Sequence, residues 1–418
     1  MPRVAILFEI LGPYHVARLA GAACAMDVLA VEILEKSGAY GAAYGLNLPA
    51  IPSALTHVPL GARGGATGTT WRDYERLFDA RLGPLALDAV AVCGWASLGS
   101  IAATHWAARR GLPVIVMSET TPWDFARAPV VDTIKRGLAR HYAAALCGAR
   151  SHKDYLVSLG LAPDAVFLGY DAVDNDYFAN AADAVRDSGA MPELGPGKRL
   201  PEAARGLYFL VSARFIEKKN LKRLLEAYAA FRAGRSTDPA DWPLVVLGDG
   251  KLRDDLEALR GMLGLSAFVQ MPGFRQYGEL PSFYATAGAF IHASTTEQWG
   301  LVVNEAMASR LPVLVSNRCG CAAELVQEGV NGFTFDPLDT RRMTALMRQM
   351  ATGDARAAMG AASRRIVADW GPERFGAGLA AAVAVARKRG PRKLGIVDAL
   401  LIRAVGERQN RVCNHPSD

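Results

Sequence analysis

Along nearly all of this chain, short runs of β-branched and apolar residues alternate with longer stretches whose apolar residues recur at helical spacing. The runs Val4–Phe8, Ala89–Cys93, Val114–Met117, Val166–Leu168, Leu207–Val211, Leu244–Leu247, Phe268–Gln270, Ala289–His292 and Val313–Val315 read as strands. The clearest helical stripe is Leu221, Leu224, Leu225, Tyr228 and Phe231, with Lys222, Arg223 and Glu226 on the opposite face. Consecutive parallel strands need helical crossovers, so this alternation specifies parallel sheets covered by helices on both faces. The segment Met191–Arg205 is rich in proline, glycine and charge, lacks periodicity, and reads as a linker. With 418 residues the chain is too long for one small domain. The expected fold class is α/β. A Rossmann-like domain is expected over 1–190, a linker over 191–205, a second Rossmann-like domain over 206–375, and C-terminal helices over 376–418 that pack back on the first domain. Ligands of such sheets sit at the carboxyl ends of the strands, so two facing halves imply a cleft.

Composition narrows the function classes. Apolar residues make up 51% and charged residues 21%, which excludes wholesale disorder. The 47 basic and 41 acidic residues leave a charge of +6, mild and dispersed, so no nucleic-acid partner is expected. Six cysteines, several in strand-like runs, read as buried free thiols in a reducing compartment. The opening run Val4–Phe8 is stopped by Glu9, too short for a signal core, and Gly376–Ala386 falls well short of the ~20 residues a membrane span requires. The expected location is the cytoplasm.

Several familiar motifs fail. Gly248-Asp249-Gly250 supplies two glycines of a dinucleotide fingerprint, but Arg253 takes the third place. Neither Gly250-Lys251 nor Gly197-Lys198 completes a Walker A loop. Asp174-Asn175-Asp176 reads as a capped turn, Cys319-Gly320-Cys321 has the wrong spacing for zinc, and the seven histidines are scattered. No metal site and no cofactor are expected.

Chemistry converges in the second half. The loop Ser212-Ala213-Arg214-Phe215-Ile216-Glu217-Lys218-Lys219-Asn220 follows a strand and precedes the amphipathic helix. Arg214 and Lys219 at such an edge suit a bound diphosphate; the alternative is a solvated surface loop. A second segment, Glu297-Gln298-Trp299-Gly300-Leu301-Val302-Val303-Asn304-Glu305, sets one carboxylate before a helix and one about a turn inside it. Carboxylates there can accept from sugar and ribose hydroxyls, or serve only as helix-start charges. A third, Gly320-Cys321-Ala322-Ala323-Glu324-Leu325-Val326 followed by Gly329-Val330-Asn331-Gly332, is structural punctuation by itself.

The order and spacing of SARFIEKKN, VVLGDGKLRDDL, VQMPGF, STTEQWGLVVNEAMASRLPVLVS, GCAAELV and GVNGFTFDP resemble the retaining glycosyltransferases of family 4, group 1 enzymes of GT-B fold. GYDAVDNDYF resembles the segment that closes the family's N-terminal domain. The resemblance implies metal-independent transfer of a sugar from a nucleoside diphosphate sugar to a glycan or lipid-linked hydroxyl, with retained anomeric configuration. It implies that Arg214 and Lys219 hold the diphosphate, Glu297 the transferred sugar and Glu305 the ribose. By the same likeness, backbone amides at Gly300, Leu301 and Val302 meet sugar and phosphate, Gly12 approaches the phosphate, and the nucleobase lies near Gly273 and Phe274. Arg214, Lys219 and Glu297 are the expected catalytic groups, with His15 and Glu119 as candidate acceptor or sugar contacts.

The chain also departs from the family pattern. Gly12-Pro13-Tyr14-His15 replaces paired glycines, Glu119 stands where a histidine is common, and Cys321 replaces a glycine. Trp299 either narrows the sugar pocket or packs in the core. In the tail, Arg387, Lys388, Arg389, Arg392 and Lys393 precede Leu394, Ile396, Val397, Leu400, Leu401 and Ile402. That pattern fits peripheral contact with an anionic membrane or a helix packed on the first domain. The alternative functions are an epimerase or phosphorylase on the same scaffold, or a non-catalytic ligand binder.

Overall fold

The computed structural model describes residues 1–34, 50–62, 69–121, 129–233, 242–392, 395 and 402–406. The chain divides into two compact units, Met1–Val173 with Pro372–Asp418, and Asp174–Gly371.

The first unit is built on β1 (Arg3–Phe8), β2 (Asp27–Leu34), β3 (Thr56–Ala62), β4 (Ala89–Cys93), β5 (Val114–Ser118), β6 (Ala144–Cys147) and β7 (Val166–Leu168). Their order is β3-β2-β1-β4-β5-β6-β7, every pair parallel. Val4, Ala5, Ile6 and Leu7 are all fully buried, so β1 has apolar neighbours on both faces. That is why it reads as a continuous apolar run and not as an alternation. Each large side chain so buried contributes roughly 1.5–3 kcal/mol.

The second unit starts with an antiparallel hairpin, β8 (Glu193–Gly195) and β9 (Lys198–Arg199). Its sheet comprises β10 (Phe209–Ser212), β11 (Leu244–Leu247), β12 (Val269–Gly273), β13 (Ala289–His292), β14 (Val313–Ser316) and β15 (Gly332–Phe335). The order is β12-β11-β10-β13-β14-β15, again parallel throughout. The stripe Leu221, Leu224, Leu225, Tyr228 and Phe231 faces this sheet's core as its spacing requires.

The boundaries differ from those expected. The first crossing falls after Val173, not 190, because the helix Asn175–Ser188 belongs to the second unit. Asp174 opens that helix, its carboxylate accepting from the Tyr177 amide at 2.9 Å. The expected linker is ordered: beyond the hairpin, the Arg275 guanidinium donates to the Leu194 carbonyl at 2.8 Å. The return crossing precedes Pro372, so the whole helix Pro372–Arg389 joins the first unit.

That helix lies against the helix Pro13–Ala23 at backbone distance. A Cβ on Gly376 would stand 2.3 Å from the Gly21 carbonyl oxygen, and one on Gly21 would stand 2.1 Å from that of Pro372. Only glycine fits at this crossing. The tail's basic turn is likewise held: Arg387 pairs with Asp88 at 3.1 Å and Arg389 with Asp164 at 2.7 Å. Ile402 and Val405 are buried in the first unit's core. Arg387 and Arg389 are thus paired, and Ile402 is packed, within their own unit; Lys393, Leu394, Ile396, Val397, Leu400 and Leu401 lie outside the described residues. Among the described residues, no helix is long and apolar enough to cross a membrane.

Candidate active site

The second unit gathers its charged groups at the carboxyl edge of the sheet. After β10 the chain runs through a 3-10 turn, Glu217–Lys219, to Asn220 in the left-handed region at φ 59°. Asn220 is buried, and its amide donates to the Ala293 and Pro337 carbonyls at 3.1 and 2.7 Å. These bonds tie the loop after β10 to those after β13 and β15 and fix where the lysines emerge. The Lys219 ammonium donates directly to Glu297 Oε2, and Lys218 Nζ lies 3.6 Å from Oε1. Lys219 and Glu297 keep only 12% and 13% of their side-chain surface, so their attraction is poorly screened by water.

Two further groups complete the cluster. His292 Nε2 lies 3.6 Å from Glu297 Oε2, and the Ser294 hydroxyl donates to the same oxygen at 3.4 Å. Burial pushes the Glu297 pKa up, but the His292 bond and the charges of Lys219 and Lys218 outweigh it, holding the carboxyl well below the usual carboxylate range. Burial lowers His292 below the ordinary histidine value, with Lys219 acting in the same direction. At neutral pH the cluster is an ionised carboxylate among two ammonium groups and a neutral imidazole.

Around it, the segment after β13 pairs with the loop after β14. The Glu297 amide donates to the Arg318 carbonyl at 3.2 Å, and that of Gly320 to Glu297 at 3.1 Å. Gly300, at φ 107°, turns the chain into the helix Leu301–Ala308, where Leu301 and Val302 are half-buried in its first turn. Trp299 does not narrow a pocket: it is buried, donates to Asn304 at 2.9 Å and packs against Trp370, ring centres 5.0 Å apart. Arg214 stands exposed on the same edge. Beside Gly273, which ends β12, a cavity of about 440 Å³ is lined by Asp249, Arg253, Gln270 and Lys198. Phe274 is half-buried next to it in sequence.

Glu305 is placed differently from Glu297. It is fully buried, and its Oε2 accepts from the Tyr284 hydroxyl at 2.6 Å. Burial first raises the phenols of Tyr277 and Tyr177, followed by the Glu305 charge at Tyr277 and the Asp174 and then the Glu305 charge at Tyr177; their rings stack 4.9 Å apart. The expected ribose ligand is enclosed by aromatic side chains in this state.

On the first unit, Gly12 has an ordinary backbone conformation, and its amide donates to His15 Nδ1 at 3.2 Å. His15 also bonds the Ile10 backbone, and burial followed by the Arg18 charge lowers its pKa to about 3. Through these bonds the His15 ring braces the turn between β1 and its helix. Glu119, half-buried just past β5, faces the carboxyl of Asp171 within hydrogen-bonding range. Asp171 Oδ2 occupies the space of a Gly148 side chain, 1.8 Å from where a Cβ would be. Burial and the Glu119 charge raise Asp171 well above the aspartate range, while Arg18 opposes them. Arg18 Nη2 lies 3.7 Å from Asp171 Oδ1, and the Arg18 guanidinium covers the Tyr170 ring at 4.7 Å.

Sequence reasoning missed His292, Ser294 and Lys218 around Glu297. Lys218 was visible as the neighbour of Lys219, but the inward course of His292 at the end of β13 has no sequence signature. Asp171, inside the segment GYDAVDNDYF, had no role assigned from sequence.

Residues 198–366 match the family model of glycosyl transferases group 1, a span containing every expected site residue of the second unit. The α-D-kanosaminyltransferase of Streptomyces kanamyceticus is 30% identical over 142 residues, 34% of this chain and 35% of that protein. The sulfoquinovosyl transferase SQD2 of Arabidopsis thaliana is 37% identical over 114 residues, 26% of this chain and 21% of that protein. The chain thus matches only about a third or less of the length of these curated relatives. In fold the likeness is much broader. The crystal structure of Anabaena HepE in complex with UDP and glucose superposes with a TM-score of 0.66 at 16% identity, over 91% of this chain and 98% of that one. The two Rossmann-like parallel-sheet units are those of the GT-B fold.

Proposed function

We propose that this protein is a retaining glycosyltransferase that moves a hexosyl unit from a nucleoside diphosphate sugar to a hydroxyl of a glycan or lipid-linked acceptor. It would work in the cytoplasm, with no protein-bound metal and no cofactor. The observation that carries the reading is the Lys219–Glu297 pair, with Lys218 and His292 around it, at the strand ends within the group 1 span.

Cleavage of the sugar–phosphate bond leaves negative charge on the departing diphosphate. Lys219, Lys218 and Arg214, with the leading amides of the helix Leu301–Ala308, stabilise that charge more in the transition state than in the ground state. Glu297, kept ionised, accepts a hydroxyl of the transferred sugar. In the route we favour, the acceptor oxygen forms its bond to the anomeric carbon on the face from which the diphosphate leaves. The acceptor proton passes to the departing phosphate oxygen, so configuration is retained without a covalent enzyme intermediate. The nucleobase is assigned to the cavity beside Gly273. The ribose is assigned to Glu305, which requires Tyr277 and its neighbours to open. Glu119 is assigned to the acceptor side.

Thermal-shift titration with UDP, GDP and ADP identifies the base by the stabilisation that binding gives. Arg214→Ala and Lys219→Ala should each lower kcat by ~10²-fold or more, the range for losing one charge-stabilising group. Wild-type rates in both variants would remove the assignment. The product anomer, read by NMR, tests retention, and activity unchanged by a chelator tests metal independence.

A further inference from the structure

The opposite edge of the second sheet carries a feature that the transferase reading does not use. Where β10, β13 and β14 begin, at Gly206, Gly288 and Pro312, an open groove of about 970 Å³ runs along the unit. Six arginines line it: Arg186, Arg205, Arg310, Arg356, Arg364 and Arg365. Asp354 is the one carboxylate among its described lining residues. The floor is methyl groups, from Ala285, Ala287, Ala357 and Ala361.

Internal acids neutralise this set only in part. Asp183 is shared by three of the six, Arg364 at 2.6 Å, Arg186 at 3.1 Å and Arg310 at 3.9 Å, and Glu202 holds Arg205 at 2.6 Å, which leaves Arg356 and Arg365 without an acidic partner among the described residues. Backbone carbonyls hold the forks without removing charge. Arg364 Nε donates to Ala308 at 2.8 Å, and Arg356 Nη1 donates to Gly353 at 2.6 Å while its guanidinium lies over the Trp242 ring. Ordered guanidinium groups lose little freedom when an anion arrives. Arg365 is exposed on the helix Arg356–Val367.

Arg310 adds an independent sign. Its backbone is left-handed, φ 61°, a region that suits glycine or asparagine and is uncommon for a long side chain. The conformation is locked from behind, since a Cβ on Gly360 would lie 2.1 Å from the Arg310 carbonyl oxygen. An unfavourable backbone at a tight turn thus presents a half-exposed cation to the groove.

We propose that this groove is a second anion site, separate from the donor site, for a soluble ligand bearing two or more linked phosphate groups. Planar guanidinium forks match phosphate oxygens bidentately, and several in a row match a chain of phosphates. The concavity selects a compact solute over a bilayer surface, which is planar and cannot enter it.

Isothermal titration of the full chain with inorganic tripolyphosphate tests this. The wild type should bind, and Lys219→Ala should keep that affinity within about 2-fold, because its change lies at the other edge. Arg310→Asn together with Arg365→Ala should weaken binding by at least about 10-fold, the effect of losing one or two charge-assisted bonds. Asparagine accepts the left-handed backbone, so an unchanged melting temperature in that variant separates lost binding from lost folding. No binding by the wild type at millimolar tripolyphosphate would overturn the proposal. So would binding abolished by Lys219→Ala and untouched by the arginine changes. Sedimentation with phosphatidylserine vesicles that depends on Arg310 and Arg365, without tripolyphosphate binding, would replace the soluble ligand with a membrane and equally refute it.

Discussion

The carboxyl edges of the two sheets each hold a carboxylate in a nearly water-free setting, yet the two acids end in opposite states. Glu297 is ionised because Lys219, Lys218 and His292 together outweigh the cost of its burial. Asp171 is fully enclosed, has a second carboxyl against it, and has one arginine 3.7 Å away to oppose them. One cation does not offset burial plus a like charge, so Asp171 is held well above the aspartate range. The same architecture therefore offers a fixed anion ringed by cations on one unit and a carboxyl with a raised pKa on the other. The local count of charges decides which, not the fold.

The largest test removes the cation that dominates on the second unit. Lys219→Ala should cost ~10²-fold in kcat, as above, and should bring the Glu297 pKa back toward the ordinary range. Lys218→Ala is the graded control. Its ammonium is farther from Glu297 and more exposed, so a loss of less than about 10-fold is expected in steady-state rates.

The pH dependence of stability should carry opposite signs at the two sites. Glu297 has a depressed pKa, so its contribution is present above the ordinary glutamate range and is lost as pH falls below it. Asp171 has a raised pKa, so the folded state holds a proton that the unfolded chain releases, and stability falls as pH rises above the ordinary aspartate range. Asp171→Asn should abolish that fall and stabilise the protein at pH 8 relative to wild type by more than about 1 kcal/mol, the worth of a single pKa unit. Urea denaturation at pH 5 and pH 8 measures it, and an unchanged slope would mean that Asp171 is ionised. The smallest effect belongs to Ser294→Ala, whose 3.4 Å bond is long. A change under about 1 kcal/mol in stability is expected from the same urea curves.

Much of the scaffold could be read directly because its strands are buried on both faces, and continuous apolar runs such as Val4–Phe8 mark them. Two of the strands that escaped break this rule, while β6, four apolar residues buried throughout, was too short and alanine-rich to stand out. β2 carries Glu32 in its interior, buried and accepting from the Leu11 amide at 3.0 Å, and β3, at the sheet's edge, contains Pro59. The unit boundary was misplaced because glycine and proline in 191–205 serve a hairpin, whereas the true crossing at Val173 is marked only by a helix cap. At the candidate site, Lys219 and Glu297 were singled out by the family resemblance, since spacing alone left a surface loop and a helix-start charge as alternatives. His292 was not, since nothing local distinguishes a histidine aimed at a carboxylate from one packed in a core. His15 shows what the fold adds to a loop histidine: its ring accepts from the Gly12 amide and braces its own turn.

The order of residues was enough to determine two parallel-sheet units and the segments at their strand ends, because periodicity and loop chemistry are local properties. Ionisation, enclosure and partnership were decided only in three dimensions. Whether Glu297 carries a charge, whether Glu305 sees solvent, and whether the tail's cations are paired each depend on groups tens to hundreds of residues away. A carboxyl's state is set by the sum of charges and dipoles packed around it, and that sum exists only once the chain has folded.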